Sequence, residues 1–293
     1  DDVQGVLTAS THTPLIFFSN LGKAYTLKVY QLPLAAPQSR GKNLRQLLAF
    51  GPDEVLSTLL PVLPDYQDLL FVTSRGNVRR NAFSDFANIR SNGLIAMKFS
   101  DNERLVAVQP CQEDQDVLLT TRQGRSIRFS VQNVRRFTGR TSCGVRGIRL
   151  KDGDEVVSMT LLASQTDNDQ PTDKEEFILS LSENGFGKRT SSYAYRVCGR
   201  GGQGVATMEV TKRTGSVINA FPVKDSDHIL LLTHTGQMIR CPVDKIRVSG
   251  RKTQGVIVFR LQKDEKIVSA ALVAHCDNKD ESQDTSPSAL PMA

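Results

Sequence analysis

Residues 104–150 read RLVAVQPCQEDQDVLLTTRQGRSIRFSVQNVRRFTGRTSCGVRGIRL, and this stretch decides the fold. Residues 104–110 (RLVAVQP), 116–121 (DVLLTT) and 125–129 (RSIRF) are short runs rich in β-branched and apolar residues, and the last two flank a turn at Arg122-Gln123-Gly124. Such runs place successive side chains on opposite faces of a strand, and a glycine between two of them marks a hairpin. An arginine-rich connection follows, and a second glycine, Gly144, opens a fourth run, 144–150 (GVRGIRL).

The same order is written five times. The turn glycines are Gly22, Gly76, Gly124, Gly185 and Gly236, at spacings of 54, 48, 61 and 51 residues. The hairpin runs recur at 15–19 and 23–29, 69–74 and 77–80, 177–181 and 187–190, and 229–233 and 237–241. Fourth runs recur at 93–99, 204–210 and 255–261; in the first copy Asn43 replaces the glycine before the run 44–49. The leading strand occurs six times, at 6–10, 55–62, 104–110, 156–162, 216–223 and 266–273. A repeat of about 50 residues carrying several strands is the pattern of propeller-like arrays. The expectation is an all-β array of about five four-stranded blades, near 6–50, 55–100, 104–150, 156–210 and 216–273, closed as a disc or rising as a spiral. Six leading strands for five bodies predict that blades exchange strands, with 266–273 completing the fifth. Helical periodicity is nearly absent, apart from short turns near 84–88 and 131–135.

The domain is expected to span 1–276, with 277–293 a solvated acidic tail; the polar stretch 164–176 also falls outside the repeat. The net charge is +6, and the tail holds Asp277, Asp280, Glu281 and Asp284 against Lys279, so the body is more basic than the total. Residues 122–149 contain eight arginines and no acid. A basic body points to a polyanion, with nucleic acid the usual one, against the alternative of a solvated basic face. The tail is then placed to compete with DNA for that face. Five widely spaced cysteines without a CxxC read as reduced thiols and as neither a disulfide framework nor a zinc site. No apolar run reaches membrane-spanning length and no signal peptide opens the chain, so no membrane partner is expected. The start at Asp1-Asp2 without Met reads as part of a longer protein.

Residues 199–204 (GRGGQG) spell a dinucleotide-binding fingerprint, but that motif needs a following helix and 205–210 (VATMEV) reads as a strand. The glycines are read instead as allowing a close backbone approach or a turn. His12, His228, His234 and His275 are scattered, with no metal-ligand spacing, and no P-loop, GxSxG or HExxH is present. No cofactor, metal or catalytic residue is expected. What recurs is positive charge between the third and fourth strands: Arg40, Lys42 and Arg45; Arg90; Arg135, Arg136 and Arg140; Arg196 and Arg200; Lys245, Arg247, Arg251 and Lys252. Equivalent loops of a ring return at regular angles, so these residues are the candidate DNA-binding set, forming a basic rim. Regular phosphate contacts on a curved rim suit a bent duplex, with little sequence information read. The chain has no Trp, which favours duplex backbone over stacked single strands.

The segments 144–150 (GVRGIRL), 185–190 (GFGKRT), 28–33 (KVYQLP) and 250–257 (GRKTQGVI) closely resemble the C-terminal domain of DNA gyrase A subunits, through all five copies. That resemblance implies a β-pinwheel whose blades exchange strands, and a non-catalytic domain that wraps DNA on its outer rim for ATP-dependent negative supercoiling. The partners it implies are the remainder of the gyrase A polypeptide and the gyrase B polypeptide, two of each, with the fragment itself monomeric. The implied location is the bacterial cytoplasm, at the nucleoid. Cleavage and ATP chemistry lie elsewhere in that family, so Tyr25, Tyr30, Tyr66, Tyr193 and Tyr195 are assigned none. The family's basic box, QRRGGKG, is matched only in part by 38–43 (QSRGKN). Either most of the box-bearing first blade precedes the chain, or the parent lacks it, as topoisomerase IV subunits do. The readings left open are a topoisomerase IV accessory domain without strong chiral wrapping, and a propeller that binds protein at its central face.

Overall fold

Each hairpin expected from the turn glycines forms in the computed structural model, which describes residues 9–35, 41–165, 175–262 and 264–273. The first copy contributes β1 (Pro14–Ser19) and β2 (Lys23–Lys28). The second contributes β3 (Leu56–Pro61), β4 (Asp68–Thr73), β5 (Asn77–Ala82) and β6 (Leu94–Ile95). From the third come β7 (Leu105–Cys111), β8 (Gln115–Thr121), β9 (Arg125–Ser130), β10 (Arg136–Phe137) and β11 (Val145–Arg146). The fourth supplies β12 (Val156–Ala163), β13 (Phe177–Ser182), β14 (Phe186–Ser191) and β15 (Val205–Ala206). The fifth supplies β16 (Val217–Val223), β17 (His228–Thr233), β18 (Met238–Pro242) and β19 (Val256–Ile257), and β20 (Ile267–Val273) follows.

The sheets are offset from the copies. Each takes its hairpin from one copy and its flanking strands from the next, giving the orders β3-β1-β2-β6, β12-β8-β9-β15 and β16-β13-β14-β19. The second sheet follows β10-β5-β4-β7, with β11 also on β5, and the fifth is β18-β17-β20. The exchange is therefore as the six leading strands predict, and β20 completes the fifth sheet. All five inner pairings carry a register shift at the same place, for example between Val72 and Thr73 and between Leu181 and Ser182. Such bulges increase the local twist that turns one sheet toward the next.

Neighbouring sheets pack face to face. Ile16 and Phe18 of the first meet Leu69 and Phe71 of the second, where Phe18 and Phe71 stand edge to face at 5.5 Å. Leu70, Val72 and Val78 of the second meet Val117, Leu119 and Ile127 of the third. Leu179 and Leu181 of the fourth meet Ile229 and Leu231 of the fifth. Inner strands β3, β7, β12, β16 and β20 all line one central cavity of about 580 Å³. Charged side chains at this cavity are paired, as in Arg104–Glu155 at 2.9 Å, Arg122–Glu155 at 2.8 Å and Lys266–Glu183 at 3.3 Å.

The fourth strands depart from expectation. The runs read at 93–99, 144–150, 204–210 and 255–261 shrink to the pairs β6, β11, β15 and β19. The cause is a bend that brings two successive amides onto one turn-glycine carbonyl: Gly147 and Ile148 donate to Gly76 at 2.8 and 3.2 Å. Ala96 and Met97 do the same at Gly22, Thr207 and Met208 at Gly124, and Val258 and Phe259 at Gly185. The run 44–49 is no strand; Leu44–Gln46 is a 3-10 turn. Gly144, Gly204 and Gly255 enter their strands at φ between +67° and +81°, whereas Asn43 sits at φ −68° and caps the turn with its side chain.

The fifth sheet has no fourth strand among the described residues. Its turn glycine, Gly236, has nothing within 4 Å of where a Cβ would stand, and Arg240 on β18 is exposed although its counterparts Arg80, Arg128 and Arg189 are buried. The leading run 6–10 lies largely outside the described residues, as do Arg40, most of 164–176, and the tail 277–293.

Candidate nucleic-acid interface

Each hairpin's second strand ends in a one-turn 3-10 segment, at Phe83–Phe86, Val131–Asn133, Ser192–Ala194 and Val243–Lys245 in the last four copies. In the last three the chain then returns alongside the preceding sheet. β10 pairs in parallel with β5 at Arg136↔Arg80, and single parallel bridges join Val197 to Arg128 and Val248 to Arg189. The residue before each bridging position is an exposed arginine: Arg135, Arg196 and Arg247. The pattern behind them is Val134, Tyr195 and Ile246, all buried, so the anchor turns inward and the arginine turns outward. These three are structural equivalents on successive loops. Arg135 lies 4.4 Å over the Phe137 ring. Among the described residues, the side chains of Arg196 and Arg247 make no hydrogen bond or ion pair, and the same holds for Lys42, Arg90 and Lys252.

After the bridge, each loop repeats Gly-Arg and reaches its second glycine five residues on: 139–144 (GRTSCG), 199–204 (GRGGQG) and 250–255 (GRKTQG). The arginines Arg140, Arg200 and Arg251 form a second equivalent row, and they act as struts. Arg140 donates to the carbonyl of Asp85 at 3.0 Å and Arg200 to that of Asn133 at 2.9 Å, each in or at the 3-10 segment of the previous loop. Arg200 also reaches the Arg146 carbonyl at 3.1 Å, and Arg251 reaches the Ala206 carbonyl at 2.9 Å. These hydrogen bonds fix the spacing between neighbouring loops. A guanidinium has five N–H donors, so each strut retains donors for a phosphate. Arg90 and Arg140 line one open groove of about 890 Å³ between the second and third loops.

The remaining sequence candidates are less free. Arg136 is locked on the buried Asp68 carboxylate at 2.7 Å, a bond that raises its already high pKa. Lys245 lies 3.5 Å from Asp244, which offsets its charge. Arg45 donates to the Pro52 carbonyl, and with Lys42 it borders a separate groove at 41–45.

Sequence reasoning passed over the cations inside the hairpins: Arg79, Arg80, Arg128, Lys188 and Arg189 are all buried. Their signal was present, because each stands third or fourth after a turn glycine in a strand packed on both faces. Arg75, Arg146, Arg149 and Lys151 were also passed over; they border a further groove of about 630 Å³ that contains Asp152, Asp154 and Glu155. The GRGGQG loop is followed by β15 and not by a helix, and a Cβ on Gly204 would stand 2.3 Å from the Ser126 carbonyl oxygen. Its glycines permit the close backbone approach that the sequence suggests. His234 accepts the Lys266 N–H at 3.1 Å, and no metal-holding cluster occurs among the described residues.

An array of strand-exchanged blades with rows of arginine on successive outer loops defines a β-propeller-type domain with a basic rim. The chain belongs to the DNA gyrase C-terminal domain, β-propeller family, whose model matches residues 13–62, 67–112, 115–163, 176–224 and 227–274. The DNA gyrase A subunit of Rickettsia bellii is 39% identical over 95% of this chain, and that of Salmonella typhimurium is 37% identical over 94%. The chain spans 36% and 30% of those relatives' lengths. A solved DNA gyrase A C-terminal domain superposes with a TM-score of 0.75 at 27% identity, covering 91% of this chain and 84% of that one. The C-terminal domain of DNA topoisomerase IV superposes with a TM-score of 0.77 at 24% identity, covering 90% and 80%, and shares the fold.

Proposed function

We propose that this chain is the DNA-bending and DNA-wrapping domain of a bacterial gyrase A polypeptide. It holds duplex on its loop rim and presents it to the rest of a cytoplasmic, nucleoid-associated assembly of two A and two B subunits, which supercoils DNA at the expense of ATP. The observation that carries this reading is the equivalent row Arg135, Arg196 and Arg247, exposed on successive loops that the strut arginines hold at fixed spacing. Cations repeated along a curved surface neutralise phosphates at intervals and release counterions, and the attraction offsets a bending cost of roughly 1–6 kcal/mol over 20–30 bp. The domain itself is non-catalytic and works without a cofactor. Tyr25 and Tyr195 are buried, and burial pushes both phenols up, with the hydrogen bond to Glu54 adding to the rise at Tyr25.

The test is a salt series of duplex binding. Replacing Arg135, Arg196 and Arg247 together by Ala is expected to flatten the log–log salt dependence by about 0.9 for each phosphate no longer neutralised. An unchanged slope would place the duplex elsewhere.

A further inference from the structure

Two of the rim loops are held from beneath by a buried cation of the preceding sheet. Arg79 on β5 donates from Nη1 to the carbonyls of Arg140 at 2.6 Å and Ser142 at 2.8 Å, and from Nη2 to that of Ala96. Lys188 on β14 donates from Nζ to the carbonyls of Gly250 at 2.7 Å, Arg251 at 2.6 Å and Thr253 at 3.0 Å, and to Thr253 Oγ1 at 3.1 Å. Both side chains are fully buried, and neither makes an ion pair among the described residues. Each is the third residue after its turn glycine. The third hairpin has Ile127 at this position, and the loop above it is GRGGQG. There a Cβ on Gly202 would lie 3.6 Å from Ile127 Cδ1, and Arg125 takes the carbonyls of Gln203 and Gly204, each at 2.8 Å. Of these three loops, the two with side chains in their middle stand on a cation and the glycine loop stands on an isoleucine; the first hairpin has Tyr25 at this position, beneath Gly93.

An ammonium buried without a carboxylate is costly, and burial, followed by the nearby Arg251, lowers the Lys188 pKa to about 8. Stability alone does not favour such a group over Ile127. We propose that Arg79 and Lys188 are positioning residues for nucleic-acid binding: they draw the carbonyls of 139–144 and 250–255 inward and fix the loops that carry Arg140, Arg251 and Lys252. The proposal rests on the DNA-bending reading above. Carbonyl oxygens are the negative ends of the peptide dipoles, and turned toward a phosphate they would oppose it. Bound to a cation beneath, they leave the outer face of the loop to its positive groups.

The experiment is a double-mutant cycle on DNA affinity in the whole chain at fixed salt. Lys188→Gln keeps an amide donor in the pocket, and it is combined with Lys252→Ala on the same loop and with Arg135→Ala on another. The expected result is weaker binding by Lys188→Gln and a coupling with Lys252→Ala of about twofold or more, with additivity toward Arg135→Ala. Additive behaviour with Lys252→Ala, in a variant that melts as a folded protein, overturns the proposal while leaving DNA binding in place. If Lys188→Gln does not fold, Arg79→Gln with Arg140→Ala decides by the same criterion. Absence of salt-sensitive binding by the parent chain removes the DNA reading and the proposal together.

Discussion

Gly124 and Met208, 84 positions apart in the chain, meet so closely that a Cβ on Gly124 would stand 2.2 Å from the Met208 carbonyl oxygen. That oxygen belongs to the bend that follows β15, where the Thr207 and Met208 amides close on the Gly124 carbonyl in return. The turn glycine therefore serves two purposes, one conformational at φ +76° and one steric. Gly236 keeps only the first, at φ +86° with open space around it. Gly236→Ala is expected to cost about 1–2 kcal/mol, the penalty for a left-handed residue with a Cβ. Gly124→Ala is expected to cost more, because backbone must also move. Paired denaturant melts of the two variants check the difference.

Arg128 and Asp116 form an ion pair at 2.9 Å with both side chains about 1% exposed. Arg128 also donates to the carbonyls of Ser192 at 2.9 Å and Ala163 at 2.7 Å, tying the third sheet to the fourth copy. Asp116→Ala leaves a buried guanidinium without its counter-charge, and the expected loss is about 3–5 kcal/mol. Glu155→Ala, which breaks pairs with the half-exposed Arg104 and Arg122, should cost about 1 kcal/mol or less per pair. Chemical unfolding of both variants gives the comparison.

Glu54 is buried beneath Tyr25, accepting its hydroxyl at 2.9 Å and the Gly51 N–H at 2.9 Å. Burial pushes this carboxyl up, but hydrogen bonds from Ser19, Gly51 and Tyr25 outweigh it and the net shift is downward. A depressed carboxyl pKa stabilises the fold above the unfolded value of about 4.3 and loses that contribution as pH falls through the folded value. The stability gap between the parent and Glu54→Gln should therefore narrow below about pH 4.3. Melting midpoints across pH 3 to 7 would show a constant gap if the account is wrong.

Lys188 gives the opposite window. Its folded pKa of about 8 lies below the unfolded value of about 10.4, so the fold carries a protonation cost below pH 8 that is relieved as pH rises to 10.4. The parent should gain stability relative to Lys188→Met between those limits, read from urea midpoints at pH 7.5 and 10. No relative gain would mean that the ammonium is better solvated than its burial implies.

The hairpins and the exchange of strands are legible in the sequence because period-two alternation and a turn glycine are local signals, and a sixth leading strand has only a neighbour to pair with. The fourth strands come out shorter than their apolar runs because their ends are set by two amides converging on a distant carbonyl, which no local pattern records. Asn43 is visible as a departure, but the 3-10 turn in place of a strand goes with two things the local pattern does not record. Asn43 lacks the positive φ of Gly144, Gly204 and Gly255, and every fourth strand pairs with the preceding copy's hairpin, of which there is none beside 44–49 among the described residues. The loop cations are legible as a set, since charge recurs in each copy. Their division into an outward row and a strut row is not, because Arg135 and Arg140 differ in which carbonyl lies within reach and not in composition. Arg79 and Lys188 look like ordinary strand residues in the sequence, since an inward cation is recognised only once the loop above it is placed.

The most direct test of the central claim is competition between a linear duplex and a nicked minicircle of the same sequence for this chain at moderate salt. A rim of outward arginines on successive loops predicts tighter binding to the pre-bent circle, with the preference abolished when Arg135, Arg196 and Arg247 are replaced by Ala. Equal affinity for the two forms, or a preference that survives the triple substitution, would contradict the account.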